Sequence, residues 1–369
     1  MKLLTVLGAR PQFIKACPVS RALAASGVDE LIVHTGQHYE ELMSGVFFEE
    51  MALPKPRHEL GIGGLPQGAM TGRMLEALET VMLAERPDWV LVYGDTNSTL
   101  AGALAAAKLQ VPLAHVEAGL RSFNVAMPEE INRRVTDHVS RLLFAPTAAA
   151  VANLRNEGIT RGVEPVGDVM YDAALQFGEV ARRHSRIIER LGVRPGAYVL
   201  ATVHRAENTD DPRRLEVILT GLAEVAKEMS VVVPLHPRTR KVLEQGHVAC
   251  PASLRVIEPV GYLDMLMLEQ HAALIATDSG GVQKEAYFYG IPCVTLRDET
   301  EWVELVECGA NTLAPPSSRD AVFAALRRGL ERGRLSQDRP LLYGDGRASQ
   351  RIAELLSQAA GATAVRKTA

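Results

Sequence analysis

The sequence predicts an α/β protein made of two doubly wound domains. Short Leu-rich and β-branched runs alternate with longer amphipathic stretches along the chain, the pattern of repeated βαβ units and hence of parallel sheets covered by helices on both faces. The pattern pauses at a charge-rich helical stretch carrying Arg182, Arg183 and Arg190 and then restarts. At 369 residues the chain is also longer than one core comfortably fills. The expected division is a first domain over residues 1–168 and a second over 169–345, with a last helix near 346–360 packing back on the first. A ligand cleft is expected between the two.

Residues 3–7 read as the first strand, and Pro11 stands where a helix can begin, because its missing N–H costs least in a first turn. Residues 31–35 read as the second strand. Two buried strands follow at 88–93 and 112–116, the former leading into a helix from about Ser98. The Ala-rich run 100–107 has the length of a helix packed on a sheet. Residues 143–145 form the last clear strand of this half. The second half repeats the theme with strands at 198–202, 231–234, 255–257, 274–277 and 293–296.

Composition narrows the function. A formal charge of −4 with no basic stripe or tail disfavours a nucleic-acid partner, so any anion must be bound locally. Cys17, Cys250, Cys293 and Cys308 are far apart and form no CxxC pair, which argues against a zinc site or a disulfide framework and fits the cytoplasm. No apolar run approaches the roughly 20 residues of a membrane helix, so neither membrane anchoring nor export is expected.

Candidate chemistry lies where strands end. In a parallel sheet, ligands sit at the carboxyl ends of the strands, so Asp95 after residues 88–93 and Glu117 after 112–116 are expected at one pocket mouth. Glu129, Glu130 and Arg133 follow closely, together with Arg121. Acids and arginines so grouped suggest proton transfer on an anionic substrate. The turn Gly8-Ala9-Arg10-Pro11, with Arg10 and Lys15, offers free N–H groups and positive charge to an anion. Asp278-Ser279-Gly280-Gly281 is a better phosphate cradle, since glycines let backbone approach closely and a helix follows at once. Glu285, one turn into that helix, could grip ribose hydroxyls, and His204-Arg205 follows another strand end.

Plainer readings compete with several of these. Asp95 could simply cap the following helix. Arg121, Arg133 and Arg134 could form a structural network with Glu129 and Glu130. His115, His138 and His271 read as packed, hydrogen-bonded histidines, and His34, Gln37 and His38 as a surface or binding loop. Gly61-Ile62-Gly63-Gly64 neither follows an evident strand nor opens a clear helix, so a dinucleotide fingerprint is absent, and no P-loop is present.

In this order the segments resemble the non-hydrolysing UDP-N-acetylglucosamine 2-epimerases. The matching stretches are GARPQFIKA from Gly8, TGQHY from Thr35, GDTNS from Gly94, HVEAGLRS from His115, PEEINR from Pro128, HRAEN from His204, HPRT from His236, PVGY from Pro259, DSGGVQKEA from Asp278 and RDETEW from Arg297. The resemblance implies two Rossmann-like domains of glycosyltransferase-B type and Asp95, Glu117 and Glu129 as catalytic acids. It implies a diphosphate surrounded by Arg10, Lys15, His204, Ser279, Gly280 and Gly281, with Glu285 on the ribose. Arg133, His236 and Arg297 join the substrate-binding set, and His204 joins the catalytic set through the departing diphosphate. It further implies a homodimer, no NAD and no metal.

The C2 hydrogen of a 2-acetamido sugar is not next to a carbonyl, so an epimerase must either oxidise C3 or expel UDP from C1. Elimination uses a carboxylate at C2 while cationic groups and a helix start stabilise the leaving diphosphate. Two faces of C2 need two proton-transfer groups. Departures from the family pattern bear on the substrate. Trp302 and Val303 replace the arginine and proline of RxxTERPE, Tyr39 replaces the arginine of QHR, Met70 replaces a glutamine, and Gln12 stands in a segment that usually reads GTRPEA. The Trp302 form looks like the branch acting on UDP-2,3-diacetamido-2,3-dideoxyglucuronate. Rival readings are a hydrolysing epimerase, a glycosyltransferase, which needs no acids for C2 chemistry, and a UDP-sugar sensor, in which one of the three acids would be missing.

Overall fold

A computed structural model describes residues 1–37, 53–246 and 248–367. The expectations for His38 and Tyr39 lie outside these residues. Two compact units result, one comprising Met1–Leu175 with Leu341–Ala369 and the other Gln176–Pro340.

The first unit runs β1 (Lys2–Leu7), α1 (Arg10–Ala25), β2 (Asp29–His34), β3 (His58–Glu59), α2 (Gln67–Glu85), β4 (Trp89–Tyr93), α3 (Asn97–Lys108), β5 (Leu113–Val116), α4 (Pro128–Val139), β6 (Leu142–Ala145), α5 (Ala148–Asn156), β7 (Val163–Pro165) and α6 (Val169–His184), whose C-terminal part belongs to the second unit. Its seven strands are parallel in the order β3-β2-β1-β4-β5-β6-β7. The chain therefore winds outward from β1 one way and then from β4 the other, leaving a switch point between β1 and β4 where both strands end in loops. Both strands are apolar and almost wholly buried, as a sheet covered on both faces requires.

Helix α3 shows how composition sets position. Ala101, Ala103, Ala105 and Ala106 are all buried, and a Cβ on Gly102 would lie 3.1 Å from Val92 and 3.2 Å from Val6. These small residues let the helix lie close over β1 and β4, so its N-terminus opens at the switch point.

The second unit continues with α7 (Ile187–Leu191), β8 (Tyr198–Thr202), α8 (Ala206–Thr209), α9 (Pro212–Val225), β9 (Ser230–Pro234), α10 (Pro237–Glu244), β10 (Arg255–Ile257), α11 (Tyr262–His271), β11 (Leu274–Thr277), α12 (Gly280–Tyr289), β12 (Cys293–Thr295), α13 (Val303–Glu307), β13 (Asn311–Leu313) and α14 (Arg319–Arg332). Its parallel order β10-β9-β8-β11-β12-β13 repeats the first sheet's winding, with a switch point between β8 and β11. The final helix, α15 (Ala348–Lys367), packs on α1 of the first unit. Among the described residues no helix is long and apolar enough to cross a membrane.

The glycine-rich segment 61–64 departs from expectation. It does follow a strand, the two-residue β3, and precedes α2. Its glycines serve packing: Ile62 N–H donates to Thr35 O at 2.7 Å, and a Cβ on Gly36 or Gly63 would run into the opposite backbone.

Candidate active site

In the first unit a recess of about 190 Å³ opens at the switch point, lined by residues that include Lys15, Gln37, Gln67, Asp95, Asn97, Glu129 and Asn132. Its floor is held by Gln12. That side chain accepts from Gly8 N–H (2.8 Å) and Ala9 N–H (3.0 Å) and donates to Tyr93 O (2.8 Å), Thr96 Oγ1 and Thr99 Oγ1 (both 3.0 Å). One amide thus joins the end of β1 to the end of β4. Two of the expected free N–H groups of the Gly8–Pro11 turn, those of Gly8 and Ala9, are therefore taken by Gln12.

Asp95 follows β4. Thr96, not Asp95, is the N-cap of α3, so the carboxylate is released from capping. It pairs instead with Arg133 at 2.5 Å. Burial pushes its carboxyl up from the ordinary range, against the opposing charges of Arg133 and Lys15; Glu117 and Glu129 add to the rise.

Glu117 ends β5 with φ of +74°, a left-handed backbone that a non-glycine residue adopts only where its surroundings over-determine it. Its carboxylate is buried and pairs directly with Lys15 Nζ. Both groups press on Gly94, where a Cβ would lie 3.4 Å from Glu117 Oε2 and 3.7 Å from Lys15 Nζ. Lys15 is thus paired with an acid in this structure.

The acidic pair at the start of α4 divides. Glu130 is wholly buried, bonded to Arg133 (2.9 Å), Arg134 (3.2 Å) and Ser122 N–H (2.9 Å). Burial alone would raise its carboxyl, but Ser122 and Arg133 outweigh it and hold it low. Glu129 lines the recess and makes no hydrogen bond or ion pair among the described residues. Arg121 lies outside this cluster, paired with Asp137 (2.8 Å) and Glu157 (2.7 Å).

The second unit answers with a donor-rich loop set. Asp278, fully buried at the end of β11, accepts from His204 N–H (3.0 Å), Arg205 N–H (2.9 Å) and Asn208 Nδ2 (3.1 Å), joining β11 to the turn after β8 much as Gln12 joins β1 to β4. Ser279 caps α12 without spending its hydroxyl on the helix. A Cβ on Gly280 would strike Glu301, whereas Gly281 is open to within 3.9 Å. At the first position the Glu301 carboxylate would have to move aside, and the second leaves room for a ligand. Glu285 is buried, with Tyr262 OH donating to it at 3.3 Å. His204 and His236 stack at 5.1 Å.

Known proteins decide what this arrangement belongs to. The family model described as UDP-N-acetylglucosamine 2-epimerase matches residues 21–357. The chain belongs to the UDP-N-acetylglucosamine 2-epimerase family. It is 54% identical to a UDP-2,3-diacetamido-2,3-dideoxy-D-glucuronate 2-epimerase of Pseudomonas aeruginosa, over 97% of this chain and 100% of that one. It is 45% identical to a UDP-N-acetylglucosamine 2-epimerase of Methanocaldococcus jannaschii, over 97% of this chain and 99% of that one. A crystal structure of the M. jannaschii UDP-GlcNAc 2-epimerase, in complex with UDP-GlcNAc and UDP, matches with a TM-score of 0.89 and 44% identity over 97% of this chain and 100% of that one. The Neisseria meningitidis enzyme bound to UDP-GlcNAc matches at 0.87 and 31%, again over 97% and 100%. The two parallel-sheet units are accordingly the pair of Rossmann-like folds of the glycosyltransferase-B architecture.

Within this family member, the structure gathers Asp95, Glu117, Glu129, Lys15 and Arg133 around the first switch point, with Arg10 opening α1. It gathers His204, His236, Ser279, Gly280, Gly281 and Glu285 on the second unit. Arg297 is also there but sits buried between Glu207 (3.0 Å) and Glu301 (2.9 Å). Trp302 is buried beneath Lys284, whose Nζ lies 4.2 Å from the ring centroid. His138 is hydrogen-bonded as expected, to Arg134 O at 2.9 Å, but is not packed, because its side chain is 53% exposed. Sequence reasoning noted Gln12 only as a departure from the family pattern and passed over Asp137. A glutamine at the third residue of a helix is the available signal for the former, as half of a capping box.

Proposed function

We propose that this protein is a non-hydrolysing epimerase that inverts C2 of a UDP-2-acetamido sugar by eliminating and re-adding UDP. The observation that carries the reading is the acid set: Asp95 and Glu129 line one recess, and Glu117 lies against Gly94 on its wall. A carboxylate takes the C2 proton while the C1–O bond to UDP breaks, leaving a 2-acetamidoglucal. A second acid returns a proton to the other face, and the UDP oxygen adds back to C1. Arg10, Arg133 and His204 offset the charge on the departing diphosphate. Ser279, Gly280 and Gly281 hold it, with His236 and Arg297 in support, and Glu285 takes the ribose. The scheme needs neither NAD nor metal.

The 54% identity to the P. aeruginosa protein favours UDP-2,3-diacetamido-2,3-dideoxyglucuronate as the substrate, with UDP-N-acetylglucosamine as the second reading. The purified protein would be offered each sugar nucleotide in turn, and the product's H1–H2 coupling read by NMR. A manno-configured product from the diacetamido uronate alone fixes the first reading; product from UDP-N-acetylglucosamine alone fixes the second. Free UDP accumulating with free sugar would point to a hydrolysing enzyme instead. A cytoplasmic homodimer serving surface-polysaccharide synthesis, such as O-antigen, completes the proposal and is supported by the family likeness. Light scattering of the purified protein tests the dimer.

A further inference from the structure

We propose that His115 is a positioning residue for the acid set, a buried imidazole that ties the turn carrying Asp95 to the turn carrying Glu117. The inference rests on the reading of those acids given above. His115 lies on β5 with no exposed surface. Its Nδ1 is 2.7 Å from Asp137 Oδ1, and its Nε2 is 2.8 Å from Gly94 O. A carbonyl can only accept, so Nε2 must carry a proton. Asp137 faces Arg121 at 2.8 Å and accepts Gly119 N–H at 3.1 Å on its other oxygen. Burial alone would raise this carboxyl, but its hydrogen bonds to His115 and Arg121 hold it low.

Asp137 on α4 faces both His115 and Arg121, and Arg121 is paired again by Glu157 just beyond α5, which Arg134 and His138 also face. The hydrogen-bond chain runs from Gly94 O through His115 and Asp137 to Gly119 N. Gly94 precedes Asp95 and has φ of +63°, while Glu117 and Gly119 have φ of +74° and +84°. One rigid link therefore clamps two left-handed turns, each placing a carboxylate. His115 touches no substrate. Its effect on turnover passes through the position of Asp95.

Histidine-selective 15N NMR of the whole protein reads the ring directly. The expected spectrum has one histidine whose Nε2 carries a hydrogen-bonded proton, and that resonance moves in Asp137→Asn. An Nε2 without a proton would overturn the link to Gly94 O. Kinetics test the positioning. His115→Gln can keep a donor toward Gly94 O, whereas His115→Asn can keep one only toward Asp137. His115→Asn should lose about 10²-fold in kcat with KM and UDP affinity nearly unchanged, and His115→Gln should lose less. Full turnover in His115→Asn would overturn the role, as would equal losses in the two variants. If His115→Asn does not fold, His115→Gln and the wild-type spectrum still decide. If the wild type turns over neither sugar, the functional reading fails while the NMR result stands on its own.

Discussion

Residue by residue, the local setting of each carboxylate separates chemistry from architecture. Glu117 is strained in its backbone and paired with Lys15, features that favour a working group over a merely structural one. Glu117→Gln should bind UDP within about threefold of wild type and lose roughly 10²- to 10⁴-fold in turnover. Calorimetry and NMR turnover assays check both halves. Glu130 behaves oppositely. Its folded-state carboxyl titrates below the ordinary value of about 4.3, so its stabilisation is complete above that pH and is lost as pH falls through the lower folded value. Urea titrations at pH 7 and pH 3 should show Glu130→Gln costing about 2 kcal/mol at the former and much less at the latter. The adjacent Glu129 and Glu130 illustrate what sequence can reveal. Neighbouring residues on a helix point about 100° apart, so one faces in and one out. Which is which depends on the side that α4 presents to α3, and Ile131, 51% exposed, would have misled an apolar-inward reading.

At the level of elements, two polar side chains organise the two switch points. Gln12 joins β1 to β4, and Asp278 joins β11 to the turn after β8. Gln12→Ala would leave Gly8 N–H, Ala9 N–H and Tyr93 O without these bonds, and about 2–4 kcal/mol of stability should be lost in a denaturant melt. Asp278→Asn would turn an amide against N–H donors and shift the His204 turn; UDP affinity should fall about tenfold or more by calorimetry. Most strands were legible, because buried parallel strands read as continuous apolar runs: 198–202 and 274–277 appear as expected. β3, β7 and β13 escaped because two or three residues carry little period. The chain from Gly94 through His115 to Asp137 escaped too, since residues 22 apart in sequence share no periodic rule.

Across the whole molecule, the same winding occurs twice, and each unit brings a distinct chemical kit to its own switch point. The first has carboxylates suited to proton transfer, and the second has hydroxyl, glycine and imidazole groups suited to a nucleotide. The last helix belongs to the first unit through Asp172, which accepts from Ala348 N–H at 3.2 Å, Ser349 N–H at 2.7 Å and Ser349 Oγ at 2.6 Å. Asp172→Ala should cost about 1–2 kcal/mol and hasten proteolysis beyond residue 341, with UDP binding preserved. The central claim is that C2 is deprotonated and reprotonated without oxidation. Its most direct test is to incubate the protein with UDP-2,3-diacetamido-2,3-dideoxyglucuronate, and separately with UDP-N-acetylglucosamine, in heavy water free of NAD, and to follow H2 by proton NMR. Deuterium entering C2 as the manno epimer forms is the predicted result; UDP binding with no exchange at C2 in either sugar would contradict it.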